Sequence, residues 1–501
     1  MCGVCAVVGR NAALIGAGVE ALEHRGPDDQ ASVRLQEDVA LGHTRLSILD
    51  LDERSRCPMT RYNVTLVYNG ECWNYLDLRA EIALAGHEFS TTGDTEVVAA
   101  ALALWGVGAL ERFEGMFALA WWDASSESLY AARDRFGEIP LHIAPMADGW
   151  ALSSEIKALP ALGARHDQAE WVGPGEWIRL TRNRKFPVLH GGWNIERETW
   201  YAAPAEPIQI TAEQAGPAMR SLLERACGER SISDVPVCTL LSGGIDSTAV
   251  AYHLRNHVGS LTAYTAVYNP KSQDARMARE AAKALGIELR EVVVPLPGRD
   301  DLAEIVRRIE MPYKAQVEIA WPCWHLAQQI AEDGFKVVFS GEGSDELWAS
   351  YGFTYHVLTR IFGDRAFGTG HIYEPGRERE WCEYRRDTFT AQHRKNFARC
   401  NKVFMAHGIE CRLPFLHTPL VEFALSVPVD ACVERKPGKG PSKQKAVMYE
   451  AYDGLVPEQI VRRHKVAFQE GMKIKEPIEA MFGSAVGAKM FYNGVFKEAY
   501  A

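Results

Sequence analysis

The stretch Leu240-Leu241-Ser242-Gly243-Gly244-Ile245-Asp246-Ser247 lies near the middle of the chain and decides the fold of the second half. The apolar run at 235–239 is typical of a buried strand, and the run at 248–254 is typical of a helix. A strand, a glycine turn and a helix start form a concavity of backbone N–H groups that suits a phosphate. The carboxylate of Asp246 could hold Mg²⁺ on that phosphate. The stretch therefore predicts a phosphate site.

The string SGGIDS at 242–247 differs from the Gly-x4-Gly-Lys-Ser/Thr phosphate loop, which has no match in the chain. It resembles instead the pyrophosphate loop of the ATP pyrophosphatases, which split ATP between its α- and β-phosphates. A plain glycine turn between a strand and a helix is the alternative interpretation.

Length and composition limit the possible classes of protein. A chain of 501 residues predicts two or three domains, and 47% hydrophobic with 24% charged residues is ordinary for a globular protein. The net charge of −10 argues against nucleic acid or an anionic membrane as the main partner. No apolar run is long enough to span a bilayer, and the N-terminus does not look like a signal peptide. Eleven scattered cysteines indicate free thiols, so the cytoplasm is the expected compartment.

The pattern along the chain predicts two different folds. Alternating strands and a hairpin at 116–132 predict an antiparallel sheet covered by helices in the first half. Strands at 236–241, 262–268, 288–294 and 335–340 alternate with helices at 274–285, 299–309 and 319–333, as parallel-sheet units require. Helix is expected to dominate beyond about 353. The predicted divisions are an N-terminal domain at 2–202, a linker at 203–210 and a C-terminal domain at 211–501.

The N-terminal residues carry a second chemistry. Removal of Met1 would leave Cys2 with a free α-amine, which titrates near about 8 and can act as a base at physiological pH. A thiol beside such an amine is an activated nucleophile without a histidine. The alternatives are an incidental cysteine or a redox pair of Cys2 and Cys5, although strand alternation points these thiols to opposite faces.

Four strings follow Cys2: HRGPD at 24–28, HTRLSILD at 43–50, YNGE at 68–71 and TGD at 92–94. Together they resemble the class II glutamine amidotransferases, which begin at a processed cysteine and fold as an antiparallel sandwich between helix layers. The resemblance implies that Cys2 attacks the glutamine side-chain amide, giving a γ-glutamyl thioester and ammonia. It implies that Arg45 pairs with the substrate carboxylate and Asp94 with its ammonium. Asn69 and Gly70 would donate to the oxyanion. The implied glutamine-binding residues are Arg45, Leu46, Ser47, Ile48, Asn69, Gly70, Glu71 and Asp94.

A turn rich in carboxylates, SGEGSDE at 340–346, follows the strand predicted at 335–340. Ligands of open parallel sheets bind at the carboxyl ends of strands, where this turn would lie. Three acidic groups so close together repel unless a cation or a substrate ammonium compensates. Further on, Lys465 in RRHKVAF at 462–468 could neutralise charge on the α-phosphate. A solvated acidic loop and a surface lysine are the alternatives.

With GIECRLPFL at 408–416, which matches a helical region of the family, these motifs resemble the glutamine-hydrolysing asparagine synthetases over nearly the whole chain. The implied fold is an N-terminal αββα sandwich of the N-terminal nucleophile type and a C-terminal α/β ATP pyrophosphatase domain with a helical end. By this resemblance, ATP adenylates a carboxylate and releases pyrophosphate, and ammonia crosses an internal tunnel from Cys2 to displace AMP. Glu342 would be the general base, Lys465 would stabilise the adenylation transition state, and Asp246 and Asp345 would hold Mg²⁺. The implied ATP-binding residues are Leu241, Ser242, Gly243, Gly244, Asp246, Ser247, Ala266, Ser340 and Gly341.

The acceptor region departs from the family pattern. The family's aspartate users carry a Thr-Thr-x-Arg string before the acidic turn, whose arginine is thought to hold an acceptor carboxylate. Counting back at equal length reaches AQVE at 315–318, and a glutamate would repel an anionic acceptor. We therefore expect a carboxylic acid other than aspartate, with aspartate itself as the alternative. The candidate acceptor contacts are Glu318, Glu346, Tyr351 and His417.

Three rival readings fit the residues less well. A β-lactam synthetase shares the architecture but needs no ammonia and lacks the N-terminal cysteine, while a sugar or phosphoribosyl amidotransferase lacks the pyrophosphate loop. A non-catalytic scaffold would show eroded charged motifs. The expected activity is an ATP-dependent carbon–nitrogen ligase with glutamine as nitrogen donor. Its expected partners are glutamine, ATP, Mg²⁺ and an acid acceptor, with no nucleic acid and no membrane; a homodimer stays open.

Overall fold

The computed structural model describes residues 1–183, 192–350, 378–435, 441–461 and 475–500. The first half contains twelve strands within these residues. They are β1 Gly3–Val8, β2 Asp29–Gln36, β3 Val39–Arg45, β4 Met59–Arg61, β5 Val64–Cys72, β6 Gly115–Asp123, β7 Ser128–Arg133, β8 His142–Met146, β9 Gly149–Ser153, β10 Glu170–Trp171, β11 Glu176–Arg182 and β12 Trp193–Thr199. The α-helices of this half are α1 Ile15–Ala21, α2 Tyr75–Leu84, α3 Asp94–Trp105 and α4 Ala109–Arg112.

These strands form two antiparallel sheets that pack face to face. Their orders are β10-β8-β9-β1-β3-β2 and β12-β11-β7-β6-β5-β4. Strand β1 lies against β5 and β6 of the other sheet and against α1 on its second face, so all six of its residues are buried. Helix α3 covers β4 and β5 from outside. The predicted αββα sandwich is therefore confirmed, and it places the N-terminus at the inner surface between the sheets.

The second half is built on a parallel sheet of five strands with the order β15-β14-β13-β16-β17. They are β13 Val237–Leu240, β14 Thr262–Val267, β15 Glu288–Val293, β16 Val337–Phe339 and β17 Glu410–Arg412, and a small hairpin follows with β18 Val433–Arg435 and β19 Pro441–Gln444. The helices are α5 Ala212–Arg230, α6 Ile245–Leu254, α7 Gln273–Leu285, α8 Arg299–Ile309, α9 Lys314–Glu332, α10 Ser344–Leu347, α11 Glu378–Thr390, α12 Asn396–Met405, α13 Thr418–Ser426, α14 Val429–Cys432, α15 Ala446–Tyr452, α16 Glu458–Val461, α17 Lys475–Met481 and α18 Ala485–Tyr500.

The structure differs from the sequence predictions in three elements. Helix α9 begins at Lys314 rather than at 319, because Val317 and Ala320 extend its buried face toward the N-terminus. Part of the region matched to helices forms strand β17, which is too short for a periodic pattern. Strands β10 to β12 lie at about 163–210, where the residues are rich in Gly, Pro and Trp and no strand was predicted. Residues 200–211 form neither helix nor strand, and the domain divisions stay a prediction.

Buried charged groups join the two halves. Arg230 in α5 donates to both carboxylate oxygens of Glu138, over 2.9 and 2.7 Å. Glu310 accepts from the backbone N–H groups of Ile156 and Lys157 over 3.0 and 2.8 Å, and it also pairs with Lys402. These contacts hold the sandwich against the parallel sheet. Within the described ranges, the structure contains no helix that is long and apolar enough to span a bilayer.

Candidate active sites at Cys2 and at the parallel sheet

Cys2 precedes β1 and is held on three sides. Its backbone N–H donates to Oδ1 of Asn69 over 2.7 Å, and its carbonyl accepts from Nε of Arg25 over 3.0 Å. The thiol accepts from the backbone N–H of Leu46. Burial raises the pKa of the Cys2 thiol, while the positive N-terminus and the Leu46 N–H act in the opposite direction. The sulfur thus lies beside a backbone donor and near the charged amine of Met1. Removal of Met1 would turn the Cys2 peptide nitrogen into the α-amine that an N-terminal nucleophile uses.

The predicted oxyanion donors lie on β5 beside this cysteine. Nδ2 of Asn69 is buried and has no hydrogen-bond partner among the described residues. A Cβ at Gly70 would lie 2.2 Å from the carbonyl oxygen of Met116 in β6, so only glycine fits there. A buried unpaired N–H is costly unless a ligand oxygen accepts from it. The geometry therefore favours an oxyanion site at the end of Asn69.

Arg45 is the last residue of β3, and Asp94 is the first residue of α3. The Arg45 guanidinium donates to the carbonyls of Asp52, over 3.0 Å, and of Asp50. Oδ2 of Asp50 accepts from the backbone N–H groups of Thr92 and Gly93 over 2.7 and 2.9 Å, which ties the residues after β3 to those before α3. Oδ2 of Asp94 accepts from the Tyr68 hydroxyl over 3.0 Å, and burial raises the pKa of Asp94 to about 6. The ends of β3 and α3 thus present a cation and a carboxylate, which an amino acid substrate needs.

The remaining predicted glutamine contacts lie around the same opening. Leu46, Ser47 and Ile48 follow β3, and the Ser47 N–H donates to Oδ2 of Asp28 over 2.7 Å. Glu71 is buried at the end of β5 and lies 3.6 Å from the guanidinium of Arg412 in β17. The carboxylate of Glu71 therefore faces the parallel-sheet half.

The pyrophosphate loop connects β13 to α6. Gly243 has φ +71°, and a Cβ there would lie 2.6 Å from the backbone nitrogen of Ala278. The hydroxyl of Ser247 accepts from the Ser242 N–H over 3.1 Å, which closes the loop. A Cβ at Gly341 would lie 2.9 Å from the Ser247 nitrogen, so the acidic turn after β16 approaches the loop closely. The two glycine turns meet at the carboxyl ends of neighbouring strands, as predicted.

Asp246 and Asp345 are brought together by a lysine that the sequence reasoning missed. Nζ of Lys445 lies 2.6 Å from Oδ1 of each carboxylate and is buried. Ser344 also donates to Oδ1 of Asp246 over 2.7 Å. Burial and the charges of Asp345 and Glu342 raise the pKa of Glu346 to about 8. Lys445 thus balances part of the negative charge that the turn concentrates.

A cavity of about 450 Å³ lies above these strands. Eleven predicted site residues line it, and they include both carboxylates proposed for Mg²⁺: Leu241, Ser242, Gly244, Asp246, Ser247, Ala266, Ser340, Gly341, Glu342, Asp345 and Glu346. Gly243 belongs to the same loop but packs against Met277 and Ala278 and does not line the cavity. In the described ranges, no three His, Cys, Asp or Glu side chains cluster to hold a metal on their own. Two carboxylates that share a cation with phosphate oxygens and water suit Mg²⁺, so these residues fit that ion.

The structure does not bring Glu318 and His417 to this cavity. Helix α9 faces the cavity with Ala315, Gln316, Ile319, Cys323 and Leu326, and helical periodicity turns position 318 away. Lys314 pairs with Glu318 over 2.7 Å, and His417 lies 2.8 Å from Glu229. Neither side chain therefore lines this cavity. Counting back from the acidic turn selected Glu318 without regard to the helix face, and His417 was selected by its position after Pro414-Phe415-Leu416. Tyr351 and Lys465 lie outside the described residues.

Helix α12 supplies cavity residues that no sequence pattern indicated beyond their place before 408–416. Arg399 pairs with Glu342 and is buried. Asn396 donates to Oε1 of Glu346 and accepts from Nε2 of Gln316, each over 2.8 Å. Lys395 also lines the cavity. Asn396 and Arg399 are three residues apart and therefore lie on one face of α12. This helical spacing is the sequence pattern that could have indicated the cavity face of α12.

Two known protein families match the chain, one in each half. The family described as glutamine amidotransferase domain matches residues 1–180, and the family described as asparagine synthase matches residues 218–489. A glutamine-hydrolysing asparagine synthetase of Triphysaria versicolor is 29% identical over 503 residues, covering 94% of this chain and 78% of that protein. One from Zea mays is 29% identical over 498 residues with the same coverage. Asparagine synthetase B of Escherichia coli K12 is 27% identical over 478 residues, covering 90% of this chain and 78% of that protein.

Proposed function

The chain belongs to the asparagine synthase family and carries a glutamine amidotransferase domain, and on this premise we propose that it activates a carboxylic acid with ATP and converts it to an amide with nitrogen from glutamine. The convergence of the pyrophosphate loop and the acidic turn on one cavity carries this proposal. An adenylating ligase needs this arrangement, because the carboxylate of the acid must attack the α-phosphate of ATP in line with the leaving pyrophosphate.

At the first site, the Cys2 thiolate attacks the glutamine amide after Met1 has been removed. The new α-amine takes the thiol proton and returns it to the leaving nitrogen, so ammonia departs and a thioester remains. The free Nδ2 of Asn69 stabilises the oxyanion, with the Gly70 N–H. Arg45 and Asp94 bind the carboxylate and the ammonium of glutamine. Water then releases glutamate.

At the second site, the carboxylate of the acceptor attacks the α-phosphate of ATP, and pyrophosphate leaves into the loop at 242–247. Asp246 and Asp345 would hold Mg²⁺, which neutralises phosphate charge when bound. Ammonia attacks the acyl adenylate, and Glu342 takes a proton from the attacking nitrogen while AMP departs. Arg399 fixes the position of that carboxylate.

The acceptor is proposed to be an amino-bearing carboxylic acid other than aspartate. Oε2 of Glu346 and Oε1 of Gln316 are buried, and neither has a hydrogen-bond partner in the part of the chain that the structure describes. Because burial raises the pKa of Glu346 to about 8, its carboxyl group holds a proton at neutral pH until a cation approaches. A substrate ammonium would ionise Glu346 and donate to both oxygens, so an amino-bearing acid matches this side of the cavity. Of the basic residues that line the cavity in the described ranges, Arg399 is paired with Glu342 and Lys445 with Asp246 and Asp345, which leaves Lys395 to hold a substrate carboxylate. An acid with an ammonium and a single carboxylate therefore fits best.

A matched set of acids tests this assignment by pyrophosphate release with ATP and ammonium. Because each unpaired buried acceptor costs about 1–3 kcal/mol, β-alanine should be used at least about 10-fold better than propionate. Aspartate should be used less well than amino acids without a second carboxylate. If aspartate is the best substrate, the second candidate function holds, which is the glutamine-dependent synthesis of asparagine that the names of the relatives state.

The nitrogen source is tested by Cys2→Ala against Cys5→Ala, a control that removes the buried thiol three residues on, which lies in β1 on the side that packs against α1. Cys2→Ala should lose glutamine-driven pyrophosphate release and keep the ammonium-driven reaction. Cys5→Ala should keep both. Glutamine-driven release by Cys2→Ala would refute the role of the thiol.

A further inference from the structure

Two cysteines meet where helix α12 packs against strand β17. Cys400 lies on α12, Cys411 lies on β17, and both side chains are buried. The Cys411 thiol donates a hydrogen bond to the Cys400 sulfur. Nη2 of Arg399 donates to the same sulfur over 3.5 Å. The Cys400 sulfur therefore has a second thiol and a guanidinium as its direct neighbours.

Cys400 is open to the synthetase cavity. In the part of the chain that the structure describes, two cysteines line this cavity, Cys400 on α12 and Cys323 on α9. Cys411 does not line it. A small reagent that enters the cavity therefore meets Cys400 first, and Cys411 is placed to react second.

The two cysteines of the cavity differ in their electrostatic surroundings. The hydrogen bond from Cys411 lowers the pKa of the Cys400 thiol, and Arg399 acts in the same direction, against burial and the charge of Glu342. Burial raises the pKa of Cys323 to about 12. Because the thiolate is the form of cysteine that attacks an oxidant, Cys400 is the more reactive of the two. A reactive thiol with a second thiol beside it is the arrangement of a reversible oxidation site.

We propose that Cys400 and Cys411 form an oxidation site, at which a hydroperoxide that enters the cavity converts the two thiols to a disulfide. The Cys400 thiolate attacks one peroxide oxygen, the O–O bond breaks, and the leaving oxygen takes the proton that Cys400 released and departs as water or an alcohol. The Cys411 sulfur then attacks the sulfenic acid on Cys400. The S–S bond forms, the S–O bond breaks, and the hydroxyl group leaves as water with the Cys411 proton. The two thiols supply the two electrons that reduce the peroxide.

The disulfide should stop the synthetase reaction. It shortens the sulfur–sulfur distance from hydrogen-bond contact to about 2.05 Å, so α12 must move toward β17 at Cys400. The preceding residue, Arg399, pairs with Glu342, the proposed general base. Oxidation also removes the sulfur charge that faces the Arg399 guanidinium. The inference goes beyond the proposed function and uses it only for one of the two readouts below.

Mass spectrometry of peroxide-treated protein tests the disulfide without any assumption about activity. The full chain is incubated with hydrogen peroxide and digested with trypsin under non-reducing conditions. Cleavage after Lys402 places the two cysteines on separate peptides. These peptides should be found joined, about 2 Da lighter than their sum, and dithiothreitol should separate them. If the two peptides stay unlinked in treated wild-type protein, the proposal is overturned.

Ammonium-driven pyrophosphate release tests the effect on the reaction, because it does not need the Cys2 thiol. Peroxide should lower the wild-type rate at least about 10-fold, and dithiothreitol should restore it. Cys400→Ala should keep its own untreated rate within about 2-fold, with Cys400→Ser in its place if that variant does not fold. Cys323→Ala is the matched control, since it removes the other cysteine of the cavity, and it should stay as sensitive as the wild type.

The outcomes separate this proposal from the proposed function. Reversible inactivation that persists in the folded Cys400 variant would overturn the proposal and leave the function intact. Full activity in linked wild-type protein would overturn the effect on the reaction. If untreated wild-type protein releases no pyrophosphate with any acid, the function is refuted instead, and the linked peptides still decide whether Cys400 and Cys411 form the oxidation site.

Discussion

The substitution Gly70→Ala should separate the two active sites. The added Cβ would lie 2.2 Å from the carbonyl oxygen of Met116 and 2.7 Å from Cα of Phe117. Both are backbone atoms of β6, which pairs with β5 in the register Gly70↔Phe117. Neither atom can rotate away as a side chain would. The strands must therefore move apart beside Asn69.

The size of this movement sets the expected loss. A carbon and a carbonyl oxygen approach to about 3.3 Å, so the strands must separate by about 1 Å. A shift of that size in an oxyanion donor costs roughly 100-fold in rate. The strain itself should cost about 1–3 kcal/mol of stability, which a core of this size tolerates.

The assay compares glutamate release with ammonium-driven pyrophosphate release. Gly70→Ala should lower glutaminase kcat about 100-fold and leave the second rate within about 3-fold. Gly259→Ala is the control, since a Cβ there has no atom within 4 Å. Glutaminase activity within a few-fold of wild type in folded Gly70→Ala would refute the role assigned to this part of β5.

Two further predictions concern buried charge. Arg230→Met leaves the Glu138 carboxylate uncompensated and should lower the free energy of unfolding by about 3–5 kcal/mol in denaturant melts. The double variant Arg230→Met with Glu138→Leu should recover much of that loss. A loss below about 1 kcal/mol in Arg230→Met would contradict the view that this ion pair is buried and compensated. Burial lowers the pKa of His43 to about 4. Its contribution to stability is complete above the unfolded pKa of about 6.5 and is lost as pH falls toward 4, so between pH 7 and 5 the wild type should lose about 2 kcal/mol more than His43→Gln. If urea melts show that the wild type and His43→Gln lose the same free energy of unfolding between pH 7 and 5, this role of His43 is excluded.

The sequence predicted the parts of this molecule in which chemistry depends on a contiguous string. The pyrophosphate loop needs glycine at 243, where φ is positive and a Cβ would meet the backbone of Ala278. The acidic turn needs glycine at 341 to approach Ser247. Such local constraints are visible in a single chain. The hairpin of β6 and β7 was predictable for the same reason, since a short turn sets its register.

The acceptor side of the cavity was not predictable in the same way. Gln316, Asn396 and Glu346 come from three separate segments and meet only through packing of α9 and α12. Equal-length counting selected Glu318, which the turn of the helix directs elsewhere. Lys445 contacts both Asp246 and Asp345 although it lies 199 residues after Asp246 in the chain, and no motif around Lys445 indicates that role. Contacts between distant segments depend on the fold.

The most direct test of the account follows both labels in one reaction. The enzyme is given ATP, [¹⁵N-amide]glutamine and an acceptor acid with ¹⁸O in its carboxylate, and the amide and the nucleotide are weighed by mass spectrometry. The account predicts one ¹⁵N in the amide and one ¹⁸O in AMP, with pyrophosphate formed in equal amount. Transfer of ¹⁸O to inorganic phosphate with ADP as product, or an amide without ¹⁵N, would contradict it.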